Sequence, residues 1–245
     1  MRNLKLILQY DGSEFHGFQI QPTARTVQGE LENILTRLTG AQTQIQGCSR
    51  TDAGVHAYRY CCNFHTDFPI PADRLPVVMN NSYINDIKVI SCTEVDSDFN
   101  ARFDTRYKTY RYLINTSKEP DVFTRNYEWQ YSRHDLDVEL MKQGAQYIVG
   151  KHDFRSFMTS GGQVQSTVRE VFSLSVEKKE DIIEILISAD GYLYNMVRII
   201  VGTLVCVGEG KYPPSHISDI IDACDRQLAG PTAPPQGLYL YEVVY

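Results

Sequence analysis

Apolar and polar residues follow two different periods along the chain. Where they alternate, and the apolar residues are β-branched or aromatic, the pattern is typical of strands; an apolar residue every three or four positions is typical of amphipathic helices. The alternating segments that predict strands are 4–10, 43–47, 58–65, 86–95, 109–115, 168–177, 181–189 and 238–244. The segments that predict helices are 26–38, 71–82, 136–149, 194–207 and 216–224.

The helix predicted over 26–38 has the best-defined ends. Thr26 is suited to cap its N terminus, because a threonine hydroxyl accepts a hydrogen bond from a backbone N–H of the first turn. Gly40 is suited to end it, since glycine readily adopts the conformation that closes a helix. Its apolar residues share one face, which we expect to lie on a core: Val27, Leu31, Ile34, Leu35 and Leu38.

The predicted elements occur twice in the order β-α-β-β-α-β, once in residues 1–103 and once in residues 104–245. This order is typical of a ferredoxin-like unit. We therefore predict an α+β fold of two pseudo-repeated ferredoxin-like halves, which form an antiparallel sheet with helices on one face. The helix over 216–224 is an addition to the second half.

The composition is that of an ordinary globular protein, with 42% hydrophobic and 22% charged residues. The longest apolar stretch, 197–207, contains Arg198 and is shorter than the roughly 18 residues that a membrane span needs. The first residues lead directly into a strand pattern, without the long apolar region of a signal peptide. We therefore expect a cytoplasmic protein with no membrane segment.

The six cysteines form no C-x-x-C pair and no metal-ligand spacing with a pair of nearby histidines. In a reducing compartment, buried free thiols are the simplest interpretation. We therefore expect no structural metal.

The formal net charge of −6 argues against a nonspecific nucleic-acid-binding protein, which is usually basic. The charge is unevenly distributed, however: acidic residues are concentrated in 177–184 and 219–225, whereas 101–112 holds four basic residues and one acidic residue. An RNA-binding cleft is therefore compatible with the composition. The candidates for phosphate contacts are Arg102, Arg106, Lys108, Arg111, Arg155 and Arg169.

The turn Arg50-Thr51-Asp52-Ala53-Gly54 lies between two predicted strands. A guanidinium next to a carboxylate favours the ionised form, which would make Asp52 available as a nucleophile or base. The alternative is an Asx-type turn with a surface ion pair, worth about 0–1 kcal/mol. Spacing alone favours this alternative.

Six segments, spread over nearly the whole chain, carry a family resemblance. They are residues 10–19 with 26–28, residues 47–56 around Asp52, Phe99–Phe103 with Tyr110–Tyr112, Gly150–Phe154 with Phe157, Tyr194–Arg198 with Val201–Thr203, and Gly237–Leu240. Together, and in this order, they resemble the tRNA pseudouridine synthase A family. Six motifs in register are far more specific than any one of them, and they favour Asp52 as a catalytic residue.

The resemblance implies an isomerase that converts uridine to pseudouridine at positions 38, 39 and 40, in the anticodon stem-loop of tRNA. It implies that no metal, nucleotide cofactor or external reactant takes part. It also implies a homodimer in which one tRNA touches both subunits. The first half would carry the catalytic Asp52 loop and the second half Tyr110 and Arg198, with a central active-site cleft.

The resemblance implies catalytic roles for three residues. Asp52 corresponds to the family's aspartate, which attacks the nucleoside or assists loss of the base. Tyr110 corresponds to a tyrosine that stacks on the target uracil, a contact worth about 1–3 kcal/mol; its alternative role is that of a half-buried strand tyrosine. Arg198 corresponds to a basic residue that pairs with the aspartate, and a charge in an apolar helix needs some partner in any case.

The resemblance implies substrate-binding roles for Arg50 and Leu238, and local positive charge makes three further residues candidates for binding the tRNA. Arg50 would hold the flipped nucleotide or fill the space that it leaves, although an ion pair with Asp52 is an alternative. Leu238 would line the uracil pocket, with core packing as its alternative. Lys108, Arg102 and Arg106 are expected to contact phosphates.

Four positions depart from the usual family pattern. Ser49 stands where glycine is usual, and we expect its Cβ to shift the catalytic loop slightly. Phe18 stands where tryptophan is frequent, and Lys108 and Thr109 stand where arginine is common. These departures leave the substrate range open.

Two other classes of function remain as alternatives. A noncatalytic RNA-binding module would tolerate loss of Asp52, but the chain lacks the Lys/Arg-Gly-Phe-Gly-Phe run of common single-strand readers. A nucleoside hydrolase using Asp52 would need a second acid and a positioned water, and no paired carboxylates in the sequence suggest them.

Overall fold

A computed structural model describes residues 1–82, 84–119, 121–159, 161 and 164–245. It is a mixed α and β protein, as the periodicity predicts. In the described ranges the strands are β1 Arg2–Tyr10, β2 Gln46–Gly47, β3 His56–Thr66, β4 Ile87–Val95, β5 Tyr107–Asn115, β6 Trp129–Gln130, β7 Gly150–Asp153, β8 Val168–Lys179, β9 Ile182–Ala189 and β10 Leu238–Val244. The α-helices are α1 Val27–Thr39, α2 Leu75–Asn80, α3 Val138–Gln146, α4 Met196–Gly208 and α5 His216–Ala223.

The chain divides into two compact units. The first contains Met1–Arg106 and Tyr239–Tyr245, and the second contains Tyr107–Leu238. The last segment belongs with the first unit because β10 pairs in parallel with β3, with Tyr239 opposite His56. The predicted halves 1–103 and 104–245 differ from this division mainly in that final strand.

Antiparallel pairing organises the first unit. Strand β1 lies between β3 and β4, and the short strand β2 pairs with the far end of β3. Leu4, Leu6 and Leu8 are fully buried and alternate with more exposed positions, so one face of β1 lies on the core.

Helix α1 ends as its sequence predicts. The Thr26 hydroxyl accepts a hydrogen bond from the N–H of Gly29 at 3.2 Å, and Gly40 closes the helix with positive φ. Buried residues of the predicted apolar face include Leu31 and Leu35. Both predicted ends are confirmed, and so is the predicted face except at Leu38, which is only half-buried.

Two predicted elements of the first unit are shorter than expected. The strand predicted over 43–47 is reduced to β2, because the N–H of Ile45 donates instead to a carboxylate oxygen of Glu32 on α1. The helix predicted over 71–82 is a 3-10 turn followed by α2. Asn80 ends α2 and forms two hydrogen bonds with the backbone of Val89 on β4.

The second unit has the strand order β5-β9-β8-β7 with antiparallel neighbours, and β6 pairs in parallel with β5. Strands β6 and β7 were absent from the sequence prediction because two and four residues are too few to establish a period. Helix α3 is shorter than the predicted 136–149, since the Asp137 side chain caps it by accepting from two backbone N–H groups.

Helix α4 lies in close contact with a loop of the same unit. The Thr203 hydroxyl accepts a hydrogen bond from the N–H of Gly230 at 2.9 Å. A Cβ added to Gly202 would lie 1.8 Å from the carbonyl oxygen of Pro231. The Val201-Gly202-Thr203 segment therefore sets how closely the loop approaches the helix.

The cysteines are free thiols, and all except Cys224 are buried. Burial raises the pKa of Cys61 and Cys92 to about 11, so both are protonated at neutral pH. The predicted buried thiols are confirmed for those five residues. Within the described ranges, no cluster of three or more His, Cys, Asp or Glu side chains could hold a metal ion, and no helix is long and apolar enough to cross a membrane.

The contact at Gly202 gives a stability prediction. We expect Gly202→Ala to lower the free energy of unfolding by about 2 kcal/mol, because the added methyl group collides with backbone that cannot move aside cheaply. Gly144→Ala in α3 is the matched control, since its Cβ would meet only side-chain atoms, the nearest at 3.0 Å. The control should stay within about 1 kcal/mol of the wild type in urea unfolding. Equal stability of the two variants would contradict the prediction.

Candidate active site

Asp52 lies in the loop that joins β2 to β3 of the first unit. The loop turns back on itself through a hydrogen bond from the N–H of Val55 to the carbonyl oxygen of Asp52, 3.2 Å long. Asp52 is half-buried, whereas the neighbouring Arg50 is exposed. The carboxylate is thus held on a compact turn, and the guanidinium of Arg50 is accessible to a substrate.

The opening segment of the chain holds this loop in place. The N–H of Phe18 donates to the carbonyl oxygen of Thr51 at 3.1 Å, and the N–H of Gly54 donates to that of Phe15 at 3.3 Å. The hydroxyls of Tyr10 and Thr51 share a buried hydrogen bond of 2.8 Å. These bonds fix the backbone on both sides of Asp52, which is the rigidity that a catalytic group needs.

The same segment is attached to the start of α1. The N–H of Val27 donates to the carbonyl oxygen of Gly17, and that of Gln28 donates to Phe18, at 3.2 and 2.9 Å. A Cβ on Gly17 would lie 2.6 Å from the carbonyl oxygen of Thr51. The helix, the opening segment and the Asp52 loop therefore form one hydrogen-bonded assembly.

Ser49 is anchored through its backbone by Tyr60. The Tyr60 hydroxyl donates to the Ser49 carbonyl oxygen and accepts from the Ser49 N–H. Ser49 is not among the described residues with positive φ, so a Cβ at this position causes no backbone strain. The Phe18 ring stacks on Tyr60 with centroids 4.4 Å apart. The departures at Ser49 and Phe18 thus occupy well-formed positions.

Tyr110 lies on β5 of the second unit and is 6% exposed. Its ring meets that of Tyr192 edge-on, with centroids 4.9 Å apart. The Tyr192 hydroxyl lies 3.0 Å from the carbonyl oxygen of Lys108 and 2.8 Å from that of Ile187, which share its single proton. Burial raises the pKa of Tyr192, so the hydroxyl remains a donor at neutral pH. Tyr192 therefore fixes the orientation of the Tyr110 ring.

Arg198 lies in the first turn of α4. Its Nε donates to the carbonyl oxygen of Ala233 at 2.7 Å, and its Nη1 donates to Oδ1 of Asn195 at 2.8 Å. The first turn of a helix carries partial positive charge, so the guanidinium adds to an already positive environment. This arrangement favours a carboxylate as the partner of Arg198.

Leu238 is buried, 5% exposed, directly after a 3-10 turn. In the segment that precedes it, the carbonyl oxygen of Pro234 accepts a hydrogen bond of 2.7 Å from the Tyr112 hydroxyl. The Arg226 guanidinium donates to the carbonyl oxygens of Ala229 and Gly230 and holds the preceding loop. Leu238 is thus supported on a fixed segment, which suits either a pocket wall or core packing.

The basic candidates fall into two groups. Arg102 and Arg106 are exposed, and the Arg102 guanidinium lies 5.4 Å from the centre of the exposed Phe103 ring. Lys108 is partly exposed. Arg111 instead forms an ion pair with Glu184, which counts against a role in phosphate binding. Arg102, Arg106 and Lys108 stay the better candidates.

The candidate residues are shared between the two units: Asp52, Arg50, Arg102 and Arg106 belong to the first, and Tyr110, Arg198, Lys108 and Leu238 belong to the second. Sequence reasoning missed the supporting residues Tyr192 and Asn195. Asn195 was within the recognised segment Tyr194–Arg198, and its position just before an apolar helix was the available signal. Tyr192 had no such signal, because its contacts depend on strand pairing.

A half-buried carboxylate on a braced turn, next to the exposed Arg50, is compatible with an enzyme that acts on an anionic polymer through one acidic residue. The model of the family described as tRNA pseudouridine synthase matches residues 6–104 and 145–245. The chain is 48% identical to the tRNA pseudouridine synthase A of Brevibacillus brevis and 45% identical to that of Thermoanaerobacter pseudethanolicus; each comparison covers all of both chains. The chain therefore belongs to the tRNA pseudouridine synthase family, and it is an isomerase that acts on tRNA.

The similarity of this chain to solved structures is much weaker. A chain of the crystal structure of a Cbf5-Nop10-Gar1 complex aligns with a TM-score of 0.38 and 10% identity, over 82% of this chain and 45% of that chain. A similarity at this level carries no argument about the fold or the site.

The bracing of the Asp52 loop gives a second prediction. Gly17→Ala places a side chain at positive φ and also makes it clash with the Asp52 loop. Gly40→Ala is the matched control: it places a side chain at positive φ, but nothing lies within 4 Å of the added Cβ. Both variants should lose about 1 kcal/mol of stability from the left-handed conformation. Only Gly17→Ala should also lower the turnover of tRNA, by about a hundredfold, because it displaces the loop that carries Asp52, the predicted catalytic residue. Equal turnover in the two folded variants would contradict this account.

Proposed function

We propose that the chain converts uridine to pseudouridine at positions 38, 39 and 40, in the anticodon stem-loop of tRNA, with Asp52 as the nucleophile. The observation that carries the proposal is the loop geometry: Asp52 is half-buried on a turn fixed by hydrogen bonds on both sides. Membership of the family supplies the reaction, and the resemblance of residues 47–56 to the family's catalytic motif supplies the residue.

The reaction needs little chemistry from the protein. The bond between N1 of uracil and C1′ of the ribose breaks, the base rotates, and a bond between C5 and C1′ forms. The hydrogen at C5 is lost as a proton and N1 of the product carries one, so the reaction is an isomerisation. A single carboxylate that attacks the nucleoside, or that assists departure of the base, is sufficient.

The other candidates would prepare the nucleotide for Asp52. Extruding a paired base costs a few kcal/mol, and the exposed Arg50 would hold the flipped nucleotide or fill its place. Tyr110, fixed by Tyr192, would stack on the uracil and take the C5 proton. Arg198 would keep the Asp52 carboxylate ionised, and Leu238 would line the uracil pocket.

Phosphate contacts would position the tRNA on this site. We assign them to Arg102, Arg106 and Lys108, which supply local positive charge to a chain whose net charge is −6. We propose further that the protein is a cytoplasmic homodimer in which one tRNA touches both subunits, and that the two units are repeats of one ferredoxin-like unit. The order of β4, β1, β3 and β2 in the first unit supports the last point.

Asp52→Ala tests the assignment of the nucleophile. With unmodified tRNA that carries tritium at uridine C5, we expect release of tritium to fall at least about a thousandfold. The affinity for tRNA should stay within roughly tenfold of the wild type, about 1.4 kcal/mol, because the carboxylate acts on the reacting atoms. Asp73→Ala, which removes an exposed carboxylate of the same unit, is the control and should keep full activity.

The same assay separates the alternatives. Tritium release without free uracil supports isomerisation, whereas free uracil would indicate a hydrolase. Turnover retained by Asp52→Ala would refute the nucleophile. Transcripts with uridine at only one of positions 38, 39 and 40 test the three sites separately, and release from other positions alone would overturn the proposed specificity.

The phosphate contacts predict a steep salt dependence. We expect the affinity for tRNA to fall strongly between about 50 and 200 mM salt, because each neutralised phosphate releases counterions. Arg102→Ala and Arg106→Ala should each reduce the slope of log K against log salt by about one. Arg125→Ala, another exposed arginine, is the matched control. A flat salt response of the wild type would rule out these contacts.

A further inference from the structure

A row of aromatic rings on β3 and β10 of the first unit has no part in the function proposed above. The rings of His56 and Tyr239 are stacked with centroids 4.8 Å apart, and those of Tyr239 and Tyr58 are stacked at 5.0 Å. Tyr241 meets Tyr58 edge-on at 5.8 Å. We call these four residues the aromatic row.

The strand register explains why the row forms. Strands β3 and β10 pair in parallel with Tyr239 opposite His56, and side chains two positions apart lie on the same face of a strand. Tyr58 and Tyr241 therefore follow on the same face, one step further along each strand. The row is built into the sheet of one unit.

An irregularity in β3 turns an additional side chain toward solvent. Leu8 is opposite Tyr60 but Tyr10 is opposite Ala57, so β3 contains one extra residue between these pairs. Such a bulge re-aims side chains and is frequent next to active sites. Both residues of the irregular stretch, Tyr58 and Arg59, are exposed. The exposed Arg59 therefore directly follows Tyr58, at the solvent-exposed end of the aromatic row.

The row passes from the interior to the surface. His56 is 2% and Tyr239 6% exposed, whereas Tyr58 is 39% and Tyr241 43% exposed. His56 follows Asp52 by only four residues, so the buried end lies next to the catalytic loop along the chain. The inner ring of Tyr239 stacks on Tyr58, and Tyr58 in turn contacts Tyr241. These contacts restrict the outer rings and reduce the entropy lost when a ligand stacks on them.

We propose that Tyr58 and Tyr241 form a platform on which a base next to the target uridine of the tRNA stacks, with Arg59 contacting the adjoining phosphate. The inference rests on the proposed role of Asp52. Exposed aromatic rings with a nearby arginine are the usual means by which proteins hold unpaired nucleotides. An RNA is the fitting occupant because the enzyme acts on tRNA and the exposed Arg59 directly follows Tyr58 in the chain.

An exposed aromatic surface could instead bind a second copy of the chain. The measurements therefore include the oligomeric state of every variant. The probe is an unmodified tRNA transcript, and the readouts are its dissociation constant, kcat and KM. Sedimentation and thermal unfolding of the full chain accompany them.

Substitution of Tyr58 tests the stacking directly. We expect Tyr58→Ala to raise the dissociation constant about tenfold and KM in parallel, with kcat changed less than about threefold. Tyr58→Phe keeps the ring and should stay within about twofold of the wild type, while Tyr58→Leu should resemble Tyr58→Ala. Tyr241→Ala should weaken binding in the same direction. Tyr147→Ala, an equally exposed tyrosine of the second unit, is the control and should bind normally.

Three results would overturn the platform. They are unchanged binding in folded Tyr58→Ala and Tyr241→Ala, equal loss of binding in Tyr58→Phe and Tyr58→Ala, and a change of oligomeric state that accounts for the loss. Because binding is measured without chemistry, the outcome is separable from the nucleophile assignment. A chain whose Asp52→Ala variant still turns over, but whose Tyr58→Ala variant binds weakly, would refute the nucleophile and support the platform.

Discussion

The backbone hydrogen bonds between the opening segment and the Asp52 loop are the constraint on which the candidate site depends. They join Phe15 and Phe18 to residues on either side of Asp52, and they continue from the same segment into α1. A loop with these partners keeps one conformation, so its carboxylate can be held where a reaction needs it. The two aromatic residues thus matter through their main chains as well as through their rings.

In the second unit, close packing between a helix and a loop holds the charged group Arg198. The loop before β10 approaches α4 so closely that only glycine fits at Gly202, and the Ala233 carbonyl of that loop receives a hydrogen bond from Arg198. The position of the guanidinium is therefore set by packing between a helix and a loop. Both units place their charged groups through backbone contacts, which tolerate less displacement than flexible side chains do.

Much of the secondary structure was predictable because it is a local property. Strand β10 has the predicted limits, and most other strands and helices of substantial length lie within two or three residues of theirs. The errors fall where a distant group competes for the backbone. The N–H of Ile45 donates to the Glu32 side chain and so does not pair with a neighbouring strand. The two-residue strand β6 is formed only by its pairing with β5.

The sequence by itself determined the periodic elements, the family and the residues that correspond to its motifs, because these follow from residue order alone. The tertiary structure decided which groups brace them. Tyr192 beside Tyr110, the Ala233 carbonyl that accepts from Arg198, and the opening segment around Asp52 are placed by contacts between residues far apart in the chain. The exposure of both Tyr58 and Arg59 likewise depends on one extra residue in the register of β3, which a period of two cannot reveal.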